Sequence, residues 1–235
     1  MDSGLKHALE QKVYAGGRLT RDDGIVLFGT DELAWLGRLA HHRRTESYND
    51  RVTFAVARPI DSREIVYGGA EDPAAHLVDS VLNLRELSGG VTAVLVKEEA
   101  APADALRTFA VARLLLDPAA HLTADYASHG PALTQLLLNY GADDLSDIPA
   151  EAAESAETGE AGETAEEAGT DAGTSRWRNA DKNAVALDAT RELLEMIWDA
   201  GLRPVARDAA FTVIHEHDAP VPLAARRAEP QRIWA

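Results

Sequence analysis

The chain has 235 residues, with 39 acidic against 23 basic side chains, a formal net charge of −16 and no cysteine. The missing thiols exclude disulfides, thiolate zinc sites, cysteine nucleophiles and cysteine-held iron–sulfur clusters from this chain. Nucleic acids and anionic membranes both need a basic patch, so the acidity argues against either as a partner; eight of the acids crowd into the base-free stretch 149–175, and half of the net charge remains on the rest.

The first forty residues read as helices. Leu5, Ala8, Leu9 and Val13 recur at helical spacing, and Gly16-Gly17 ends the run. Thr20, with Asp23 three residues on, forms a capping-box pattern for a second helix. Thr30 is expected to cap a third, with Asp31 and Glu32 in its first turn and Leu33, Trp35, Leu36 and Leu39 on its apolar side.

The pattern then alternates. Val52 to Ala57 reads as a strand ended by Arg58-Pro59, and Glu64 to Tyr67 as a second ended by Gly68-Gly69. Asp72-Pro73 supplies an N-cap and a first-turn proline for a helix with Leu77, Val81 and Leu84 inward. After Gly89-Gly90 comes Val91 to Val96, apolar enough for a strand covered on both faces. Pro102 opens a helix to about Leu116, Ala120 to Ala124 is a fourth strand, and Pro131 opens a helix stopped by Gly141. A fifth strand starts at Asp143-Asp144-Leu145. Strands alternating with helices imply parallel βαβ units. The expectation is an α/β fold: a partial TIM-like βα barrel of about five parallel strands behind N-terminal helices, since a closed eight-stranded barrel takes about 250 residues.

Three parts are expected along the chain: helices plus partial barrel over 1–148, a disordered acidic linker over 149–175, and a C-terminal part over 176–235 packing back on the first. In that last part Asp188 to Ala200 is an amphipathic helix, Pro204 and Val205 turn the chain, Ala210 to His215 is a terminal strand, and the tail from Ala219 is loosely held. Residues Met1 to His7 contain no apolar run, which predicts no signal peptide. The uncharged stretch Tyr126 to Ala142 is too short and too polar to span a bilayer. A soluble cytoplasmic protein is the expectation.

Several segments together resemble a known family. They are Gly4-Leu5 with Glu10 to Val13, Gly17 to Thr20 and Asp23 to Ile25, then Asp31 to Gly37, Tyr67-Gly68 with Glu71 to Pro73, and Leu84 to Leu87 with Gly89-Gly90. Leu106 to Leu114 follows, with Asp117, His121, His129-Gly130, Tyr140 to Asp144 and Ala200 to Arg207. In this order they resemble aminofutalosine synthase, of the radical S-adenosylmethionine enzymes of the futalosine route to menaquinone. The resemblance implies a βα barrel, and its departures bear on function. Where the family strand carries Asn-x-Asn-Arg-His, Ala55 and Ala57 stand in place of the asparagines, Arg58 is retained and Pro59 stands in place of the histidine. The family's C-x3-C-x2-C and the long central stretch after it have no counterpart beyond Asp61 to Val66. Radical cleavage of S-adenosylmethionine needs an iron with an open position in a thiolate-held cluster. The resemblance thus implies a degenerate, non-catalytic paralogue with no cofactor and no transferable catalytic residue. It would serve as a scaffold or partner, as a homodimer or bound to a full-length pathway enzyme.

Some polar residues invite other readings. His121, Asp125, His129, Asp143 and Asp144 cluster around strand ends where βα barrels bind ligands, and form a candidate ligand pocket for a repurposed binding protein or enzyme; the rival reading is inherited scaffold. His215 and His217 share one strand face and are a candidate metal pair, against a polar strand end. His41-His42-Arg43-Arg44 reads as an anion site or as a solvated helix end. No nucleophile elbow and no phosphate loop occurs.

Overall fold

The computed structural model describes residues 1–87, 92–149 and 191–218. Capping chemistry sets most helix starts. Asp2 accepts the amides of Gly4 and Leu5 and begins α1 (Ser3–Tyr14). Thr20 and Asp23 close the expected capping box on α2 (Arg21–Phe28): the Asp23 amide donates to Thr20 Oγ1 at 3.2 Å and the Thr20 amide to Asp23 Oδ2 at 2.8 Å. The third helix departs from expectation. Thr30 accepts the amide of Glu32, so the chain turns once more before α3 (Leu33–Tyr48), and the two acids precede the first turn.

Seven strands form one sheet in the order β2-β3-β4-β5-β1-β6-β7. They are β1 (Arg51–Phe54), β2 (Ser62–Tyr67), β3 (Thr92–Lys97), β4 (Leu122–Asp125), β5 (Asp144–Ser146), β6 (Arg203–Arg207) and β7 (Val213–Glu216). Every pairing is parallel except β6 with β7. Between strands run α4 (Pro73–Glu86), α5 (Pro102–Leu115) and α6 (Tyr126–Asn139), and residues 191–199 are helical. Asp72 caps α4 by accepting the Ala75 amide, with Pro73 in the first turn as expected. α6 is broken at Gly130, whose φ of 71° no helix allows, and Pro131 restarts it.

The arrangement is a partial α/β barrel, with six parallel strands rather than five. The extra one, β6, covers the prolyl segment expected to be a turn, and the terminal strand begins at Val213 rather than Ala210. The physical reason is register. The Arg203 amide donates to Asp50 O at 2.7 Å, so alternate amides of β6 face β1. Pro204 falls on the intervening position and takes no amide from that ladder. β1 is therefore central, between β5 and β6, although it is first in the chain. The Ile60 amide donates to Ala209 O at 2.7 Å, joining the lead into β2 to the turn after β6. Segments from the two flanks of the strand order thus meet.

The two faces of the sheet differ. Phe54, Ile65, Tyr67, Leu95, Leu122, Leu145 and Ala206 pack against Leu36, Leu39, Leu77, Val81 and Phe109 of the helices in one apolar core. Leu193, Met196 and Ile197 join it, which anchors the C-terminal helix. Alternation sends Thr53, Glu64, Thr123, Asp125, Asp144, Ser146 and Arg207 to the other face. The expected acidic linker lies outside the described residues except for Pro149, as does the tail from Ala219.

Candidate functional site

The inner face is held by charge. Arg207 on β6 grips Asp144 on β5 with both ends of its fork, Nε to Oδ1 and Nη2 to Oδ2, each at 2.6 Å. Both residues are 0% exposed. The same carboxylate accepts Thr53 Oγ1 from β1 at 2.7 Å and Thr123 Oγ1 from β4 at 2.6 Å. Four strands thus converge on one carboxylate, whose oxygens are fully engaged.

At the C-terminal ends of the strands, where this architecture places ligands, a single guanidinium occupies the centre. Arg58, in the connection after β1, donates Nη2 to Asp125 at 2.7 Å and Nε to Asp147 at 2.6 Å, and Nη1 pairs with Glu64. These carboxylates come from β4, the residue after β5, and β2, so Arg58 ties three parts of the rim together. They hold its pKa well above the ordinary arginine value, Asp147 most strongly. Burial of Asp125 would raise its pKa, but the Ser128 amide and the Arg58 charge outweigh it and leave it lowered. Asp125 also caps α6 through the Ser128 amide at 2.7 Å.

The other expected pocket residues do not join it. His129 lies between sheet and helix, buried against Tyr67 and Phe109. Its Nδ1 donates to Asp125 O at 2.6 Å, so Nε2 accepts the Tyr67 hydroxyl at 2.7 Å. Burial pushes the imidazole pKa down and the Tyr67 phenol pKa up, so the pair is neutral. Asp143 precedes β5 and turns to α5, where Arg113 pairs with it; His121 and the Leu122 amide also donate to it. Burial opposes its ionisation, yet Arg113 and His121 hold its pKa below the usual carboxylate range. Gly141 permits this approach: its φ is +116°, and a Cβ there would meet Arg113 Cβ at 2.6 Å. Asp143 and Asp144 therefore serve two separate ion pairs, because neighbouring residues on a strand face opposite ways. The candidate residues are therefore spread over separate hydrogen-bonded networks.

His215 and His217 do lie together, with ring centroids 4.5 Å apart. Among the described residues no group of three His, Asp or Glu side chains is arranged to hold a metal. The basic run at the end of α3 is not an open anion site. Arg44 is fully buried and donates to the carbonyls of Ala142 and Asn49, each at 2.9 Å, and of Arg51. Burial pushes its pKa down to about 10. Arg43 donates to Gly17 O at 3.0 Å. Sequence reasoning missed the arginines that organise the molecule: Arg44, Arg58, Arg113 and Arg207. The available signal was their position beside or within apolar runs, where an unpaired cation would be costly.

No family model matches the chain. The aminodeoxyfutalosine synthase of Streptomyces coelicolor aligns with it at 24% identity over 408 positions, taking in 98% of this chain and 99% of that protein. The chain resembles aminodeoxyfutalosine synthase. The alignment is far longer than 235 residues, so more than a third of its positions face no residue of this chain. A second relative, the cyclic dehypoxanthine futalosine synthase of the same organism, is 30% identical over 115 residues, which are 49% of this chain and 23% of that protein. The chain is thus a distant relative of futalosine-pathway enzymes, shortened and without cysteine. Its residues do not fit the iron–sulfur cluster that the resemblance implies: the connection after β1, Ala55 to Asp61, carries no sulfur ligand, and Arg58 within it is committed to carboxylates. No described helix is long and apolar enough to cross a membrane.

Proposed function

We propose that this chain is a non-catalytic relative of aminodeoxyfutalosine synthase that works by association, either with a second copy of itself or with a full-length enzyme of the same pathway. The observation that carries the reading is Arg58. At the strand ends where this architecture gathers its reactive groups, Arg58, an arginine that the family pattern also has, is tied to three carboxylates of this chain and closes the rim with internal ion pairs. The absence of thiolates removes the anchor of the family's cluster.

Association is supported by what the shortened sheet leaves exposed. β7 is an antiparallel flank at the end of the strand order, and Val213 and Ile214 on it are 44% and 45% exposed. At the other flank Ile60 and Val66 are 62% and 39% exposed. Strand edges with apolar side chains recruit further strands unless something covers them. Size-exclusion chromatography with light scattering at low micromolar concentration is expected to give a dimer, or a mixed complex when a full-length aminodeoxyfutalosine synthase is added. A monomer that ignores that enzyme overturns the proposal.

A further inference from the structure

A column of flat groups runs across the inner face, away from the Arg58 lock. The Arg207 guanidinium lies 4.4 Å from the centroid of the Phe211 ring. That ring stacks on His121 at 3.9 Å with an interplanar angle of 8°, and His121 in turn stacks on Tyr48 at 4.8 Å. Phe211 belongs to the turn between β6 and β7, and its φ of 61° is one that an aromatic residue adopts at a cost. Beside the ring opens a cleft of about 250 Å³ bordered by Tyr48, Arg51, Thr53, His121 and Val213.

The turn does not need the ring in order to hold its shape. Asp208 accepts the amides of Ala210 and Thr212, both at 2.8 Å, and Ala209 O accepts the Ile60 amide. The ring is therefore a separable part, stacked between an imidazole and a guanidinium by its flatness. The positive φ belongs to the backbone and is the same whether the ring points in or out; stacking on His121 and Arg207 is what holds the ring inward.

We propose that Phe211 is an internal stand-in for a planar heteroaromatic ligand of one or two rings, which takes its place between His121 and Arg207 when the side chain swings out. The cleft supplies the room that a phenyl ring does not use. Arg51 at its border has guanidinium N–H groups beyond the one given to Glu216 for a ring heteroatom or carbonyl, and the Thr53 oxygen, whose hydrogen goes to Asp144, can accept from a ring N–H. The apparent affinity of the unaltered protein is reduced by the fraction of molecules with the ring inside. The stack forms within a single chain and does not rest on association, although Val213 borders both the cleft and the exposed β7 flank.

Quinazolin-4-one is the probe, titrated into the full chain by calorimetry, with cyclohexanecarboxamide as a non-planar control and far-ultraviolet circular dichroism as the check on folding. Phe211→Gly, which removes the ring and relieves the positive φ, is expected to bind the probe at least about ten-fold more tightly than the unaltered protein. Adding His121→Ala to that variant is expected to abolish the gain, and the saturated control is expected to bind neither. Should the glycine variant unfold, Phe211→Asn is measured in its place, because asparagine also tolerates positive φ. Equal affinity for the opened and unaltered proteins, no binding by either, or equal binding of the saturated control overturns the proposal.

Discussion

The two faces of the sheet are built from the same seven strands by opposite means. The helix-facing side is apolar and continuous, from Phe54 on β1 to Ala206 on β6. The inner side is polar, closed by the Asp144–Arg207 pair, the Arg58 lock and the folded-in Phe211 ring. A complete barrel would fill its interior with side chains from all its strands. Here charge-assisted hydrogen bonds between β1, β4, β5 and β6 hold the buried inner face together. The helix face is stabilised by buried apolar area, whereas the inner face is stabilised by pairing. Loss of one member of the Asp144–Arg207 pair leaves the other buried and charged.

The largest expected effect follows from that asymmetry. Asp144→Ala strands the Arg207 guanidinium at 0% exposure and is expected to destabilise by about 3–5 kcal/mol in urea unfolding. Asp144→Leu combined with Arg207→Met is expected to restore most of the loss, because an apolar pair of similar volume needs no partner. If the double variant is as unstable as the single one, the inner face is held by shape and the contrast between the faces fails. On the other side of the sheet, Leu95→Ala removes a fully buried side chain and is expected to cost about 2–5 kcal/mol through lost transfer and a cavity. No second substitution on the inner face should rescue it.

Acid is expected to have a smaller, graded effect, and it reports both faces. His129 is buried neutral with its pKa below the ordinary 6.5, so the unfolded chain takes up the proton first. The stability it contributes is complete above about pH 6.5 and is lost as pH falls through the folded value. His41 is shifted in the same direction by burial. Asp143 and Asp125, also lowered, add a second loss below about pH 4. Urea midpoints measured from pH 8 to pH 3 should show both stages, and His129→Gln should flatten the first without touching the second. The smallest effect belongs to Arg58→Ala. Its side chain is 38% exposed and two of its three partners reach solvent, so the loss is expected to be about 1 kcal/mol or less by the same measurement.

Much of the helix face was legible in the sequence. The capping box of Thr20 and Asp23, the Asp72-Pro73 start, the proline at 102 and the Gly141 stop are local devices, and each sits where its spacing predicts. The inner site was legible only as residue types. His121, Asp125, His129, Asp143 and Asp144 were expected to share one pocket, and they were dispersed into separate networks by strand alternation and by arginines distant in the sequence. Asp144 meets Arg207 across 63 positions and Asp125 meets Arg58 across 67. Strand β6 was hidden by Pro204, since a proline inside a short run lowers any strand expectation made without its partner.

Apolar periodicity and turn residues, acting over a few positions, were enough to set the class of fold. Thiolate chemistry is excluded at the same level, because a missing atom type is missing in every conformation. The central place of β1, the seat of Arg58 at the rim and the stacking of Phe211 on His121 emerge from the folded arrangement alone. Those outcomes depend on pairings between residues far apart in the chain, set by register and by the need of each buried charge for a partner, and neither is written in local spacing.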